Sequence, residues 1–206
     1  MSVASTRRAD ALGERDRLLE QLEEVVARAA EGEARMLLIE GQAGIGKSRL
    51  AAEARRRAAD AGMTVVTARG SELEREFPYG VVRQLFEAAL IDPAARERLL
   101  AGAAAAAGPL FGSEPEDAGE ARDASFATLH GLYWLVLNLA ADGPLAVLVD
   151  DLHWCDRPSL RFIAFLLNRL EGHPVLVVGS TRPVPPAGCW PPPAADGPRA
   201  GSAGRR

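Results

Sequence analysis

The sequence predicts an α/β fold in which helices cover both faces of a mostly parallel sheet, giving three layers. Short runs rich in apolar and β-branched residues alternate with segments whose apolar residues recur at helical spacing. One run, LAVLV at 145–149, has no polar alternation, which is typical of a strand buried on both faces of a parallel sheet. A glycine-rich stretch follows the first run and leads directly into a helical pattern. We expect one domain over residues 12–183.

Apolar periodicity and the positions of glycines divide the first half of the chain into predicted elements. Residues 1–11 are expected to form a flexible arm, since they show no apolar period. Gly62 marks the end of the helix that follows the glycine-rich stretch. The predicted elements are a helix over 14–30, a strand over 35–40, a helix over 47–61 and a strand over 63–68.

The second half continues the alternation after a segment of different composition. Pro78 is placed to begin a helix, and we assign the pair Tyr133 and Trp134 to the core. Residues 94–124 are biased toward alanine, glycine and acids, which predicts helix fragments and a mobile acidic loop near 114–122. The remaining predicted elements are helices over 125–140 and 158–170 and strands over 145–149 and 174–179. Residues 184–206, rich in proline and glycine, are expected to form a disordered tail.

Composition limits the classes of function. The net charge is -4 over 206 residues, with arginines and acids interspersed, so we expect no direct DNA binding by this chain. No apolar run is long enough to span a membrane, and the first residues lack the apolar core of a signal peptide. The cysteines, Cys155 and Cys189, have no metal-ligand spacing. These features predict a cytoplasmic protein.

The glycine-rich stretch fits the phosphate-binding pattern G-x-x-x-x-G-K-[ST]. Its glycines let successive backbone N–H groups point at phosphate oxygens, and the following helix adds its positive end. Lys47 is the only lysine in a chain with 24 lysines and arginines, and a compact ammonium reaches phosphates in a way that a planar guanidinium does not. The alternative is a glycine-rich turn with a solvated lysine, but the strand-loop-helix context favours nucleotide binding. The predicted contacts are Gly41, Gln42, Ala43, Gly44, Ile45, Gly46, Lys47, Ser48 and Arg49.

Two carboxylates follow the buried strand at 145–149. An acid at this strand end, Asp150, is expected to hold Mg²⁺ together with the Ser48 hydroxyl. The second acid, Asp151, is expected to polarise the water that attacks the terminal phosphate. Alternatively, Asp151 or Asp156 caps the helix near Pro158, and we assign that role to Asp156.

The last predicted strand ends at Gly179-Ser-Thr-Arg182. If this strand neighbours the first one, a polar residue here lies beside the terminal phosphate, and Arg182 stabilises phosphate charge. The alternative is an arginine that simply leaves the sheet before Pro183.

Three stretches carry a resemblance to a known family. Residues 41–50 (GQAGIGKSRL), 71–90 (SELEREFPYGVVRQLFEAAL) and 149–183, which begin VDDLHWCD, resemble the N-terminal ATPase module of large ATP-binding LuxR-family transcriptional regulators. Residues 12–22 (LGERDRLLEQL) are similar to the motif that opens that module. Such modules look like P-loop ATPases of the AAA+/STAND type, and the resemblance spans residues 12–183.

The resemblance implies an ATP-driven switch with ATP and Mg²⁺ as ligands. Residues 41–48 would cradle the phosphates, Asp150 would hold Mg²⁺, Asp151 would activate water, and Arg182 would match the arginine of the sensor strand. The family's helical lid, helical sensor region and helix-turn-helix are not found in this sequence, so we expect a truncated version. The resemblance places a later, fifth strand beside the first. Without it, the first strand should lie at a sheet edge and favour self-association.

Two other functions fit the phosphate loop. A P-loop kinase-like phosphotransferase would share the first motif, although such kinases commonly lack a strand-terminal acid pair followed by a sensor strand. A non-hydrolysing interaction domain would bind the nucleotide only for stability.

Overall fold

The computed structural model describes residues 4–112 and 126–183. Three parts of the chain lie outside the described residues: residues 1–3, the predicted acidic loop near 114–122 and the predicted proline-rich tail over 184–206. Among the described residues, no helix is both long enough and apolar enough to cross a membrane.

Helices and strands alternate as predicted. The helices are α1 (Ala4–Ala30), α2 (Lys47–Asp60), α3 (Gly80–Phe86), α4 (Pro93–Leu99), α5 (Phe126–Ala140) and α6 (Arg157–Leu167). The strands are β1 (Arg35–Glu40), β2 (Thr64–Arg69), β3 (Leu145–Asp150) and β4 (Val175–Thr181). Four 3-10 segments, Glu72–Glu74, Glu87–Leu90, Gly102–Phe111 and Leu152–Trp154, lie between them.

Several predicted boundaries differ from the structure, and two helix starts have a clear local cause. Helix α1 begins at Ala4, so residues 4–11 are helical where an arm was expected. That stretch lacks an apolar period, but it is rich in alanine and arginine, which propagate a helix readily. Helix α3 begins at Gly80 and not at Pro78, because Tyr79 adopts a left-handed backbone conformation with φ 60° and ψ 20°.

The four strands form one all-parallel sheet in the order β1-β4-β3-β2. Strand β4 inserts between β1 and β3, so the loops after these three strands open at the same edge. The register aligns Glu40 with Thr181 and Arg69 with Asp150 at their carboxyl ends. Ligands of open α/β sheets bind at such an edge, where neighbouring strands diverge in their connections.

Two hydrophobic cores confirm the three-layer arrangement. Helices α1 and α2 cover one face, with Leu22, Val26, Ala54 and Ala58 packed against buried strand residues. The other face packs against α3, α5 and α6. Its largest fully buried side chains include Phe86, Leu132, Leu135, Phe162 and Leu166.

Strand β1 lies at one edge of the sheet, as expected from the resemblance. Among the described residues, it pairs with β4 alone. Met36 and Leu38 are 48% and 47% exposed, whereas Ile39, on the opposite face, is 7% exposed. The α1 and α2 side of β1 is therefore covered, and its other face is largely bare.

Candidate nucleotide-binding site

The loop between β1 and α2 takes a conformation that its glycines permit. Gly44 and Gly46 have φ values of 79° and 101°, in the left-handed region where a side chain would be strained. Gly46 immediately precedes α2, and its carbonyl accepts the N–H groups of Arg49 and Leu50. The N–H of Gly41 donates to the carbonyl of Thr181 (3.3 Å), which joins the loop to the end of β4. Left-handed glycines of this kind let a loop wrap around an anion.

Lys47 lies across this loop. Its Nζ donates to the carbonyls of Gly41 (2.8 Å) and Gln42 (2.9 Å), so the ammonium is held at the first turn of the loop. Four other predicted contact residues of the loop, Gln42, Ala43, Ile45 and Arg49, are exposed. The chain's single lysine thus brings its charge to the backbone that is predicted to hold phosphate.

Ser48 and Asp150 are brought together across the sheet edge. The Ser48 hydroxyl donates to Oδ2 of Asp150 at 3.1 Å. The other carboxylate oxygen, Oδ1, accepts hydrogen bonds from the hydroxyl of Ser180 and from the N–H of Asp151. This fixed carboxylate beside a hydroxyl fits Mg²⁺, which is commonly held by one or two protein oxygens plus substrate phosphates.

Asp151 points to a different part of the edge. Its backbone is left-handed, with φ 55° and ψ 49°, and its N–H also donates to the Ser180 hydroxyl at 3.0 Å. Its Oδ2 accepts hydrogen bonds from Nε (3.2 Å) and Nη2 (3.1 Å) of Arg69. The two adjacent acids therefore point to different partners, Asp150 to Ser48 and Asp151 to the end of β2.

Two neighbouring cavities lie along this edge. The first, about 390 Å³, is lined by Ser48 and Asp150 and extends between α2 and β2. The second, about 510 Å³, is lined by Asp151, Arg182 and the segment after β2. Arg69 lines both. Arg182 thus lies with the predicted catalytic acid and not with the predicted metal ligands.

His153 is enclosed beside the same edge. Both ring nitrogens are buried and have no hydrogen-bond partner among the described residues, and the ring centroid lies 5.1 Å from that of Trp154. Burial lowers the pKa of the imidazole below its ordinary value. The cations Arg182 and Lys47 lower it further, while Asp151 and Asp150 oppose the shift. The ring is accordingly neutral near pH 7.

Asp156 caps α6, as predicted, by accepting the N–H of Ser159 at 2.8 Å. Its carboxylate also accepts hydrogen bonds from the N–H groups of Tyr79 (2.9 Å) and Val81 (3.3 Å). These two hydrogen bonds were not predicted from the sequence. A carboxylate that is only 2% exposed is stabilised by these three donors. Asp156 therefore fixes the start of α3 as well as that of α6.

Arg69 and Ser180 were also missed as site residues. Arg69 approaches Asp151 only because β2 pairs with β3, a contact between residues 82 positions apart. Ser180 carried a usable signal in the sequence, since a serine at the end of a predicted buried strand needs a polar partner. In the structure it is 1% exposed. That partner is Asp150.

The chain is similar to a known protein family. A sequence model of the family described as AAA ATPase domain matches residues 12–178. No curated protein matches the chain. The family match covers most of the chain and all four strands of the sheet, apart from the last residues of β4. The chain, an α/β protein with a parallel sheet and a P-loop, therefore belongs to the AAA ATPase domain family.

Proposed function

We propose that this chain binds ATP together with Mg²⁺ and hydrolyses the nucleotide slowly, as the cytoplasmic signalling module of a LuxR-type transcriptional regulator. The observation that carries the proposal is the hydrogen bond of 3.1 Å between Ser48 and Asp150, at the foot of a loop that holds the chain's single lysine. The regulatory role is supported by the sequence resemblance over residues 12–183. The signalling module makes no direct contact with DNA.

Phosphate binding is assigned to the loop and the start of α2. Gly44 and Gly46 have the left-handed backbone that lets successive N–H groups of a loop point at one anion, and the N-terminus of α2 contributes partial positive charge. Lys47 exchanges its hydrogen bonds with the loop carbonyls for contacts with phosphate oxygens. Arg49, in the first turn of α2, lies at the exposed rim.

Metal binding is assigned to the Ser48 hydroxyl and Oδ2 of Asp150. Mg²⁺ would neutralise charge on the phosphate oxygens and orient the terminal phosphate. Ser180 and the Asp151 amide hold the other oxygen of Asp150, so its carboxylate cannot turn away from Ser48 without losing two hydrogen bonds.

Water activation is assigned to Asp151. Its Oδ1 accepts no hydrogen bond from a described residue, which leaves that oxygen free to take a water proton. Arg182, in the same cavity, is placed to stabilise negative charge on the transferred phosphate. The two hydrogen bonds from Arg69 compete for this carboxylate, which is our physical reason for expecting slow turnover.

The test is phosphate release from ATP, measured with and without small-molecule acceptors. We expect slow release that requires Mg²⁺ and is unaffected by acceptors. Asp151→Asn should keep ATP affinity and lower kcat, whereas Asp150→Asn should shift the Mg²⁺ requirement upward. Transfer to an acceptor would favour a phosphotransferase, and binding without release would favour a non-hydrolysing domain.

We further propose that the chain self-associates through β1. One side of this strand has no described neighbour, and Met36 and Leu38 expose apolar surface beside it. A strand edge of this kind can pair with the same strand of a second copy. Concentration-dependent sedimentation velocity is the direct measurement.

A further inference from the structure

The segment between β2 and α3 exposes apolar side chains between acids. We call residues 71–78 the arch. Leu73 and Phe77 are 90% and 64% exposed, although residues of these types are usually buried. Glu72, Glu74 and Glu76 are also exposed, and none of them forms an ion pair with a described residue. Arg75 lies between two of these acids, so the arch combines two apolar side chains with three carboxylates and one guanidinium, a net charge of -2.

The first end of the arch is fixed to the candidate catalytic loop. The N–H of Gly70 donates to the carbonyl of Asp150 at 2.9 Å. A Cβ atom at Gly70 would lie 2.4 Å from the carbonyl oxygen of Asp151, so the two backbones touch with no space between them. The side chain of the preceding residue, Arg69, holds the Asp151 carboxylate.

The second end is fixed to the same loop. The N–H groups of Tyr79 and Val81 both donate to the carboxylate of Asp156. Tyr79 is only 4% exposed, so the chain passes from 64% exposure at Phe77 to burial within two residues. Both ends of the arch are therefore joined by hydrogen bonds to residues 150–156.

We propose that the arch is the docking surface for a protein partner whose contacting face is apolar and positively charged. Exposed aromatic and aliphatic anchors supply affinity when a partner desolvates them, and the carboxylates select a partner of opposite charge. The same negative charge disfavours nucleic acid and anionic lipid surfaces. Partner binding repositions Asp151 through Gly70 and Asp156. Only the resulting change in the rate of ATP hydrolysis rests on the function proposed above.

The test uses three synthetic peptides against the full chain. One is an amphipathic leucine-lysine helix, the second replaces lysine with glutamate, and the third replaces leucine with serine. We expect the leucine-lysine peptide to bind, more weakly as salt rises, and the other two to bind poorly. The double variant Leu73→Ser/Phe77→Ser should lose about tenfold or more in affinity. The matched control is Ile91→Ser, which changes a side chain that is 79% exposed outside the arch.

Two outcomes overturn the docking surface. The first is equal binding of the leucine-lysine peptide to wild type and to the arch variant, and the second is no binding to wild type. The substituted side chains are exposed, so we expect the variant to fold. A thermal unfolding midpoint equal to that of wild type will show this. The link between the arch and residues 150–156 has a separate readout. Backbone hydrogen exchange at residues 150–156 should slow when the leucine-lysine peptide binds. Binding without that change would refute the link to Asp151. Neither readout requires ATP, so failure here is distinguishable from failure of the proposed ATPase.

Discussion

Gly70→Ala should disturb the candidate catalytic acid although it adds only one methyl group. The new Cβ would lie 2.4 Å from the carbonyl oxygen of Asp151, 2.9 Å from the N of Cys155 and 3.0 Å from the carbonyl carbon of Trp154. All three are backbone atoms, so no side-chain rotation relieves the contact. Real Cβ atoms essentially never approach closer than 3.0 Å, so β2 and the loop must separate by several tenths of an ångström or more.

We expect this separation to lower the free energy of unfolding by about 1–3 kcal/mol, the usual cost of overpacking. Because misplacement of a catalytic group by about 1 Å can cost about 10²-fold in rate, kcat for ATP hydrolysis should fall by about one to two orders of magnitude. ATP affinity should change less than kcat, since the atoms nearest to the new Cβ belong to residues 151–155 and not to the phosphate loop. Denaturant unfolding and steady-state phosphate release measure the two effects.

Two glycines provide controls for this prediction. Gly108→Ala introduces a Cβ with nothing within 4 Å, at a position without a left-handed backbone, and should leave stability and rate unchanged. Gly179→Ala would meet Leu152 Cδ1 at 2.5 Å, but that atom ends a flexible side chain and can move, so its effect should be intermediate. If Gly70→Ala matches Gly108→Ala in both assays, the close contact between β2 and the loop does not govern Asp151.

Three further predictions concern charge, thiol chemistry and the sheet edge. Hydrogen bonds from Arg56 and Arg57 lower the pKa of Glu53 from 4.5 to about 2, so the contribution of this exposed cluster is present above pH 4.5 and lost as the pH falls toward 2. The difference in unfolding midpoint between wild type and Glu53→Gln should accordingly be largest near neutral pH and vanish near pH 2, and a difference that is constant with pH would contradict the assignment. Burial, with a smaller effect of nearby acids, raises the pKa of Cys155 to about 12, so in a Cys189→Ser background this thiol should react with iodoacetamide only after unfolding, and fast modification of the folded protein would show an open loop. Leu38→Lys should reduce self-association in sedimentation velocity, while Ile91→Lys, at an exposed position outside the sheet, should not.

Local patterns in the sequence were sufficient to predict the strands and the phosphate loop. Strand β1 has the predicted bounds, and β2, β3 and β4 differ by one or two residues, because β-branched runs bounded by glycine or proline are strong local signals. Asp156 was recognisable as a cap because it stands two residues before Pro158.

Contacts between distant elements were not predictable in the same way. The order β1-β4-β3-β2 brings Arg69 to Asp151, and no local pattern in either segment indicates this pairing. The assignment of Trp134 to the core was wrong, since it is 39% exposed and its Nε1 donates to Nε2 of His130. Helix α5 is apolar on most of its surface, so periodicity alone does not identify the side that faces solvent.

The measurement that tests the central claim most directly is calorimetric titration of ATP with Mg²⁺ into wild type, Lys47→Ala and Arg56→Ala. Arg56 lies on the same helix as Lys47, but its cation pairs with Glu53 and Asp60, away from the loop. We predict that wild type and Arg56→Ala bind ATP with similar affinity and that Lys47→Ala shows no detectable binding, because the loop loses the cation held at Gly41 and Gln42. Equal affinity of wild type and Lys47→Ala would contradict the assignment of this loop as the nucleotide site.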